Sequence, residues 1–312
     1  MELFKDAHFD FLGRKWWFLL PSFVLILAGL ASLIAKGGPR YSIDFLGGAV
    51  TDVRWEGAPP IERIRAALSS RLGGVSVVAA HDSTGSNEIL VSVQLPATGD
   101  ATAVRQTIYE ALSTVSTGYS NRSFEAIGPQ IGADLRRQAF MATAGASAGM
   151  LLYLGWRFRI VYGVAAVVAM AHDALMTIGL FSLLNQEFSL TVVAALLTLI
   201  GYSMNDTIVV FDRIRENRRA HGREPLAETI NRSINQTLSR TVLTSGLTLL
   251  SALSLLFFGG QVLHGFSLAL VIGIIVGTFS SIFVASPILL AWEQRRTRWT
   301  APHISMPTGG VR

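Results

Sequence analysis

Cysteine is absent from all 312 residues. That excludes disulfides, cysteine-ligated zinc, iron–sulfur clusters and thiol catalysis. Charge is also scarce. Asp, Glu, Lys and Arg supply 15% of the chain, where soluble domains carry about 25%. The deficit argues against a disordered chain and against an ordinary soluble enzyme. No G-x-x-x-x-G-K-[ST] loop occurs, so ATP is not the energy source within this chain. The absence of H-E-x-x-H and G-x-S-x-G weakens a protease or lipase reading. What the sequence has in plenty is apolar: 50% hydrophobic residues and a mean hydropathy of +0.44. Its charge balance is basic, at net +5 and pI near 9.9.

A bilayer crossing needs about 20 apolar residues. Six stretches qualify: 16–35, 137–156, 160–184, 189–211, 237–258 and 265–292. The first is read as a retained anchor rather than a cleaved signal, because its apolar run is too long and no small-x-small cleavage pattern precedes Lys36. Fifteen Lys and Arg fall on one set of ends: residues 1–15, Arg157 and Arg159, the segment after the fourth span, and the 293–312 tail. The opposite short loops, 185–188 and 259–264, hold none. By the positive-inside rule both termini are expected in the cytoplasm of a bacterial inner-membrane protein, with residues 36–135 on the periplasmic side. The basic pI is then mostly a topology signal; anionic membrane lipids are an expected partner, with the basic loop 212–232 open to contact by lipid or another subunit though topology alone accounts for it, and nucleic acid is not an expected partner.

Residues 36–135 have the pattern of a small α+β domain. Residues 41–55 read as a strand, with Gly47-Gly48 marking a bulge or close backbone approach. A helix over 60–71 places Ile61, Ile64, Ala67 and Leu68 on one face. Strands follow at 75–80 and 88–95, joined by a turn at Gly85-Ser86-Asn87. Asp100 is positioned to cap a helix through Leu112, and 122–127 is a last strand closed by Gly128-Pro129. The order β-α-β-β-α-β is that of a ferredoxin-like domain. It shows no catalytic cluster; Asp44 and His81-Asp82 read as turn or capping residues. An interaction module fits best.

Ionisable residues inside spans are costly, about 2.5–3.5 kcal/mol each at a helix centre on insertion scales. Three occur here: Asp173, Asp206 and Arg240. Spans four and five run antiparallel, so Asp206 and Arg240 are expected at similar depth and able to approach each other. In span five Thr237, Thr241, Thr244, Thr248 and Ser251 recur on one helical face. Span four adds Tyr202, Ser203, Asn205 and Thr207. Such a stripe either bonds a neighbouring helix or lines a wet path; the carboxyl and guanidinium beside it favour the path. Bland readings stay open: snorkelling for Arg240, a structural carboxyl for Asp206, and a structural hydrogen bond for Asp173 beside His172. Gly145-x-x-x-Gly149 and Gly273-x-x-x-Gly277 read as helix-packing positions. Desolvation disfavours a charged carboxylate and a nearby guanidinium favours it. If Asp206 and Arg240 separate and re-pair in a cycle, a proton is taken up and released, worth about 2.3 kcal/mol per 100 mV.

The stretch 201–217, GYSMNDTIVVFDRIREN, resembles the signature of the SecF family of bacterial protein-export subunits. Ile43-Asp44-Phe45-Leu46-Gly47-Gly48 is similar to that family's strand after the first span, with Leu46 where a Thr-like residue is usual. Ala171-His172-Asp173, residues 234–241 (INQTLSRT) and 127–132 (IGPQIG) resemble its third-span motif, its fifth-span motif and its approach to span two. The resemblance covers nearly the whole chain in order. It implies an RND-like half of six transmembrane helices that pairs with SecD, associates with the SecYEG channel and often with YajC and YidC, and acts on preproteins after SecA-driven insertion. It also implies coupling to a proton or sodium gradient, no bound cofactor, and no enzymatic chemistry. By motif match Asp206 and Arg240 take the family's ion-pathway positions, Asp173 a recurring motif position; Asn205, Thr237, Thr241 and Thr244 line the expected path. A lipid or small-molecule exporter half, and a scaffold without ion flux, are the competing classes.

Overall fold

In the computed structural model, residues 8–81, 87–95, 100–116, 118–222 and 224–300 are described. Gly85 and Ser86 of the expected turn, Asp82, Arg223 and the tail cation Arg312 lie outside them. Among the described residues six helical stretches are long and apolar enough to cross a membrane. They are α1 (Lys15–Ala35), α5 (Pro129–Arg157), α6 (Ile160–Leu183), α7 (Leu190–Ala220), α8 (Leu226–Phe258) and the run of α9 (Gly260–Ser280), a π-helical turn (Ser281–Ala285) and α10 (Ser286–Thr300). Helices α6, α7 and α9 form the packed middle of the bundle, and α1, α5 and α8 lie outside them.

Between α1 and α5 stands a four-stranded antiparallel sheet in the order β2-β3-β1-β4, from β1 (Gly48–Trp55), β2 (Ser76–His81), β3 (Asn87–Gln94) and β4 (Tyr119–Ile127). Helices α3 (Ile61–Ser69) and α4 (Ala101–Val115) complete the ferredoxin-like β-α-β-β-α-β unit. Period-two alternation buries Ile89, Val91 and Val93 of β3 beside Ala49 and Val53 of β1. Ile64 and Leu68 of α3 and Ile108 and Leu112 of α4 close over that face. Each side chain so buried contributes about 1.5–3 kcal/mol. Asp100 caps α4, accepting from the Thr102 N–H at 2.9 Å.

One expected strand is shorter. Residues 41–55 do not run extended throughout: Ile43–Leu46 form a helical turn, α2. Ser42 accepts from the Asp44 N–H and starts it, and Gly47 at φ +77° ends it. A side chain at Gly47 would meet Pro129 Cα at 2.6 Å, and one at Gly132 would meet Gly47 N at 2.9 Å. The stretches 43–48 and 127–132, far apart in sequence, thus form one backbone-to-backbone corner where the sheet domain joins α5.

The helices also outrun their apolar windows. The basic segment after span four is mostly helix, because α7 continues to Ala220 and α8 already begins at Leu226. From the end of the apolar stretch onward these helix ends bury Phe211, Ile214, Ile230 and Ile234 in one cluster. Asn217 donates to Ser233 Oγ and Gln236 Oε1 there, both at 2.8 Å. The N-terminal segment 9–13 lies against the same end of α8.

Candidate ion-coupling site

Asp206 sits on the face of α7 packed against α8 and is 3% exposed. Ser245 Oγ donates to its Oδ2 at 3.0 Å. Arg240 does not reach it: no ion pair links the two, and Arg240 stands exposed on the outside of α8. The helix geometry explains the miss. Arg240 precedes Ser245 by five residues, about 7.5 Å along the axis and about 140° around it. Arg240 therefore differs from Ser245, the Asp206 partner, both in depth and in the side of α8 it faces.

The polar stripe of α8 divides the same way. Thr237, Thr241 and Ser245 are buried against the bundle. Arg240, Thr244, Thr248 and Ser251 are exposed. The Thr237, Thr244, Thr248 and Ser251 hydroxyls bond carbonyls four residues back on their own helix, at 2.9–3.2 Å. Asn205 is exposed on α7. The Tyr202 hydroxyl is buried with no hydrogen-bond partner among the described residues. Arg240, Thr244 and Asn205 thus lie on surfaces this chain leaves uncovered.

Asp173 anchors a second polar centre. Ser203 of α7 and Ser280 of α9 both donate to its Oδ2, at 2.5 and 2.7 Å. His172 Nδ1 lies 2.9 Å from Oδ1, and His172 Nε2 bonds the Ser22 hydroxyl of α1. Four helices therefore meet on one carboxylate–imidazole pair. Gly277 permits this: a side chain there would lie 2.8 Å from Ser203 Cβ. Gly273, one turn earlier, admits the Leu199 side chain. A side chain at Gly145 or Gly149 would meet nothing within 4 Å among the described residues, so this pair brings no described helix close. The reason is position: α5 lies at the bundle's edge. Ser22 and Ser280 were not singled out from the sequence, since a lone Ser in an apolar helix carries no periodic signal.

The base of the sheet domain is bonded to the start of α7. Asp44 Oδ2 accepts the Leu190 N–H at 2.9 Å, capping α7 together with Ser189, which accepts from the Val192 N–H. Ser42 N–H donates to Phe188 O, and Phe188 N–H to Arg40 O. Among the described residues no group of three or more His, Asp and Glu is placed to hold a metal ion.

The family described as "Protein export membrane protein SecD/SecF, C-terminal" matches residues 107–295. Protein translocase subunit SecF of Koribacter versatilis is 40% identical, with 95% of this chain and 94% of that protein covered. SecF of Desulfurispirillum indicum is 42% identical, covering 95% of each. The crystal structure of SecDF, a translocon-associated membrane protein from Thermus thermophilus, superimposes with a TM-score of 0.83 at 41% identity. That match takes in 95% of this chain but only 40% of the longer SecDF chain. A burial pattern with six membrane-length helices, a ferredoxin-like sheet domain and carboxyls inside the bundle agrees with these likenesses, and the chain belongs to the SecF family of protein translocase subunits, which serve protein export.

Proposed function

We propose that this chain is the ion-coupling half of a two-part export motor. Paired with a SecD-like half beside the SecYEG channel, and with YajC and YidC as further neighbours, it draws preproteins outward at a late step of translocation, using the proton motive force. In this reading it sits in the inner membrane with both termini cytoplasmic and its sheet domain periplasmic. It is a translocase subunit rather than an enzyme, and a proton, or sodium, is the coupling ion.

The observation that carries the proposal is the placement of Asp206 and Arg240. A carboxyl lies inside the bundle with one hydroxyl donor, and the nearest candidate counter-charge stands on the outer face of the adjoining helix. An Arg with three hydroxyls on an exposed membrane-helix face needs a covering half, and Thermus SecDF holds more than half its length beyond the part matched here. In the proposed cycle Asp206 carries the proton. Rotation or sliding of α8 exchanges its Ser245 contact for the Arg240 guanidinium, which favours the ionised form. Thr237, Thr241, Thr244 and Asn205 flank the path, and Asp173 serves as a second polar station.

Proton flux into vesicles holding this chain and its SecD tests the proposal. Asp206→Asn is expected to abolish flux and gradient-dependent export. Arg240→Lys is expected to keep part of the activity, since charge survives but the planar fork does not, while Arg240→Ala loses nearly all of it. Undiminished export with Asp206→Asn would leave a scaffold without ion flux as the better account. Equal activity of the two Arg240 variants would reduce that residue to a snorkelling cation.

A further inference from the structure

Two separate segments bring arginines around one hollow at the basic end of the bundle. Arg157 and Arg159 come from the α5–α6 connection, and Arg215, Arg218 and Arg219 from the last turns of α7. Together with Phe158 and Tyr162 they line a cavity of about 580 Å³. Membrane topology accounts for cations on this side of the bundle. It does not account for their convergence on a single concavity.

Counting partners shows what the hollow lacks. Arg157 is held by Asp212 at 3.1 Å and lies over the Phe158 ring, with its guanidinium carbon 5.1 Å from the centroid. Arg218 is held by the buried Glu293 at 3.2 Å. Glu216, at the margin of an adjoining hollow, is taken by Arg213 at 2.6 Å. Among the described residues Arg159, Arg215 and Arg219 have no carboxylate within 4.0 Å. Three uncompensated guanidiniums, framed by two that are fixed in place, repel one another unless an anion lies between them. Tyr162, in the first turn of α6, forms part of the wall.

The surroundings identify the kind of anion. Trp156 and Ile160 flank the hollow in sequence and are 84% and 77% exposed. Leu152, one turn earlier on α5, continues that apolar surface and is 75% exposed. A Trp beside arginines at the end of a membrane helix marks the headgroup level. A phosphate in the hollow would thus sit directly above a surface for acyl chains.

We propose that this cavity is a binding site for the headgroup of an anionic phospholipid, with Arg159, Arg215 and Arg219 holding the phosphate and the Trp156–Ile160 surface receiving the chains. The site is independent of the ion-coupling reading, since none of its residues lies on the proposed path.

Native mass spectrometry of the full chain titrated with phosphatidylglycerol or phosphatidylcholine tests it. One phosphatidylglycerol is expected to bind at least 10-fold more tightly than phosphatidylcholine. The combined Arg159→Gln, Arg215→Gln, Arg219→Gln variant is expected to lose that preference. Arg219→Gln alone changes an exposed, unpaired side chain and guards against misfolding; it is expected to weaken binding several-fold. Arg14→Gln with Lys15→Gln removes charge at the same end of the bundle but outside the cavity, and is expected to leave binding unchanged. An equal loss with that control pair would overturn the site in favour of diffuse charge attraction. So would the absence of any phosphatidylglycerol preference. Displacement of phosphatidylglycerol by inorganic phosphate or pyrophosphate at comparable concentration would assign the hollow to a soluble anion and overturn the lipid assignment.

Discussion

The crossing of α1 and α6 sets a sharp steric test. Gly29 and Gly179 pack backbone to backbone: a methyl added at Gly29 would lie 2.5 Å from Gly179 Cα, 3.0 Å from its carbonyl carbon and 3.2 Å from its oxygen. Carbon atoms rest at about 3.5–4.0 Å, so Gly29→Ala has to separate the helices by about 1 Å. Backbone atoms on the far side have no rotamer to escape into. A gap of that size forfeits about a quarter to a half of each dispersion contact along the crossing. It also stretches the Ser32–Ser182 bond, now 2.8 Å, beyond hydrogen-bonding range, a loss of about 0.6 kcal/mol for an average interhelical bond in a membrane. Overpacking of this kind costs about 1–3 kcal/mol, and replacing a helical Gly by Ala returns about 0.5–1 kcal/mol. The net expectation for Gly29→Ala is a destabilisation of about 1–3 kcal/mol. Gly179→Ala is milder, since its methyl would meet Gly29 Cα at 3.1 Å and nothing else closer than 3.7 Å. Gly149→Ala meets nothing within 4 Å and is expected to be neutral or slightly stabilising. Equilibrium unfolding of the reconstituted chain by SDS titration reads this order directly. A Gly29→Ala protein as stable as wild type, or a Gly149→Ala protein less stable than Gly29→Ala, would refute the crossing as described.

Two further outcomes follow from the polar contacts. The N-terminal segment is clipped to α8 by Asn231, which accepts from the Phe11 and Leu12 N–H groups at 3.1 Å and donates to Asp10 at 2.7 Å. Hydrogen bonds from the Gly13 N–H and from Asn231, helped by the Arg14 charge, hold the Asp10 carboxyl below its ordinary range. A depressed folded value means that this clip is at full strength above about pH 4 and weakens as pH falls through the depressed value. Amide exchange at residues 11–13 is expected to accelerate in acid below that range, and Asn231→Ala to give fast exchange at every pH; protection that is flat down to pH 2 in the wild type would contradict the contact. At the second polar centre, Asp173→Asn retains acceptors for Ser203 and Ser280 and is expected to fold. Asp173→Leu removes the acceptor of Ser203 and the partner of His172 Nδ1, while Ser280 keeps the Gly277 carbonyl at 3.1 Å, and is expected to lose about 1–3 kcal/mol; equal stability of the two variants in the same SDS titration would count against the network.

Much of this architecture was legible because two strong physical periods govern it. Bilayer thickness demands helices of membrane length, and the pleat of a half-buried sheet demands the alternation seen at Ile89, Val91 and Val93. The capping role of Asp100 was equally local and equally readable. What escaped the sequence depends on contacts between distant segments. The helical turn at Ile43–Leu46 hides in an apolar run, because Ser42 and Gly47 set its ends through one hydrogen bond and one positive φ. The extensions of α7 and α8 past the membrane are held by Phe211, Ile214, Ile230 and Ile234 in one buried cluster, which a hydropathy window does not read. The faces of α8 were the subtlest matter. An 80°-wide stripe is one face on a helical wheel, yet the bundle's edge runs through it and leaves Thr241 inside and Thr244 outside.

Helix α7 takes part in polar contacts on two sides of the bundle. Its Ser203 donates to Asp173 on one side, and three residues later, about 4.5 Å along the axis, its Asp206 accepts from Ser245 on the other. Its first turn is capped by Asp44 from the base of the sheet domain, and its last turns carry the arginine hollow. A helix of 31 residues with a dense interior does not bend to satisfy one of these contacts while ignoring the rest. Displacement of the sheet domain that pulls on Asp44 therefore bears on the same rigid element that holds both buried carboxyls in register. In the proposed cycle, coupling domain movement to proton uptake at Asp206 needs a continuous element that reaches both, and α7, bonded to Asp44 at its first turn and carrying Asp206, is such an element.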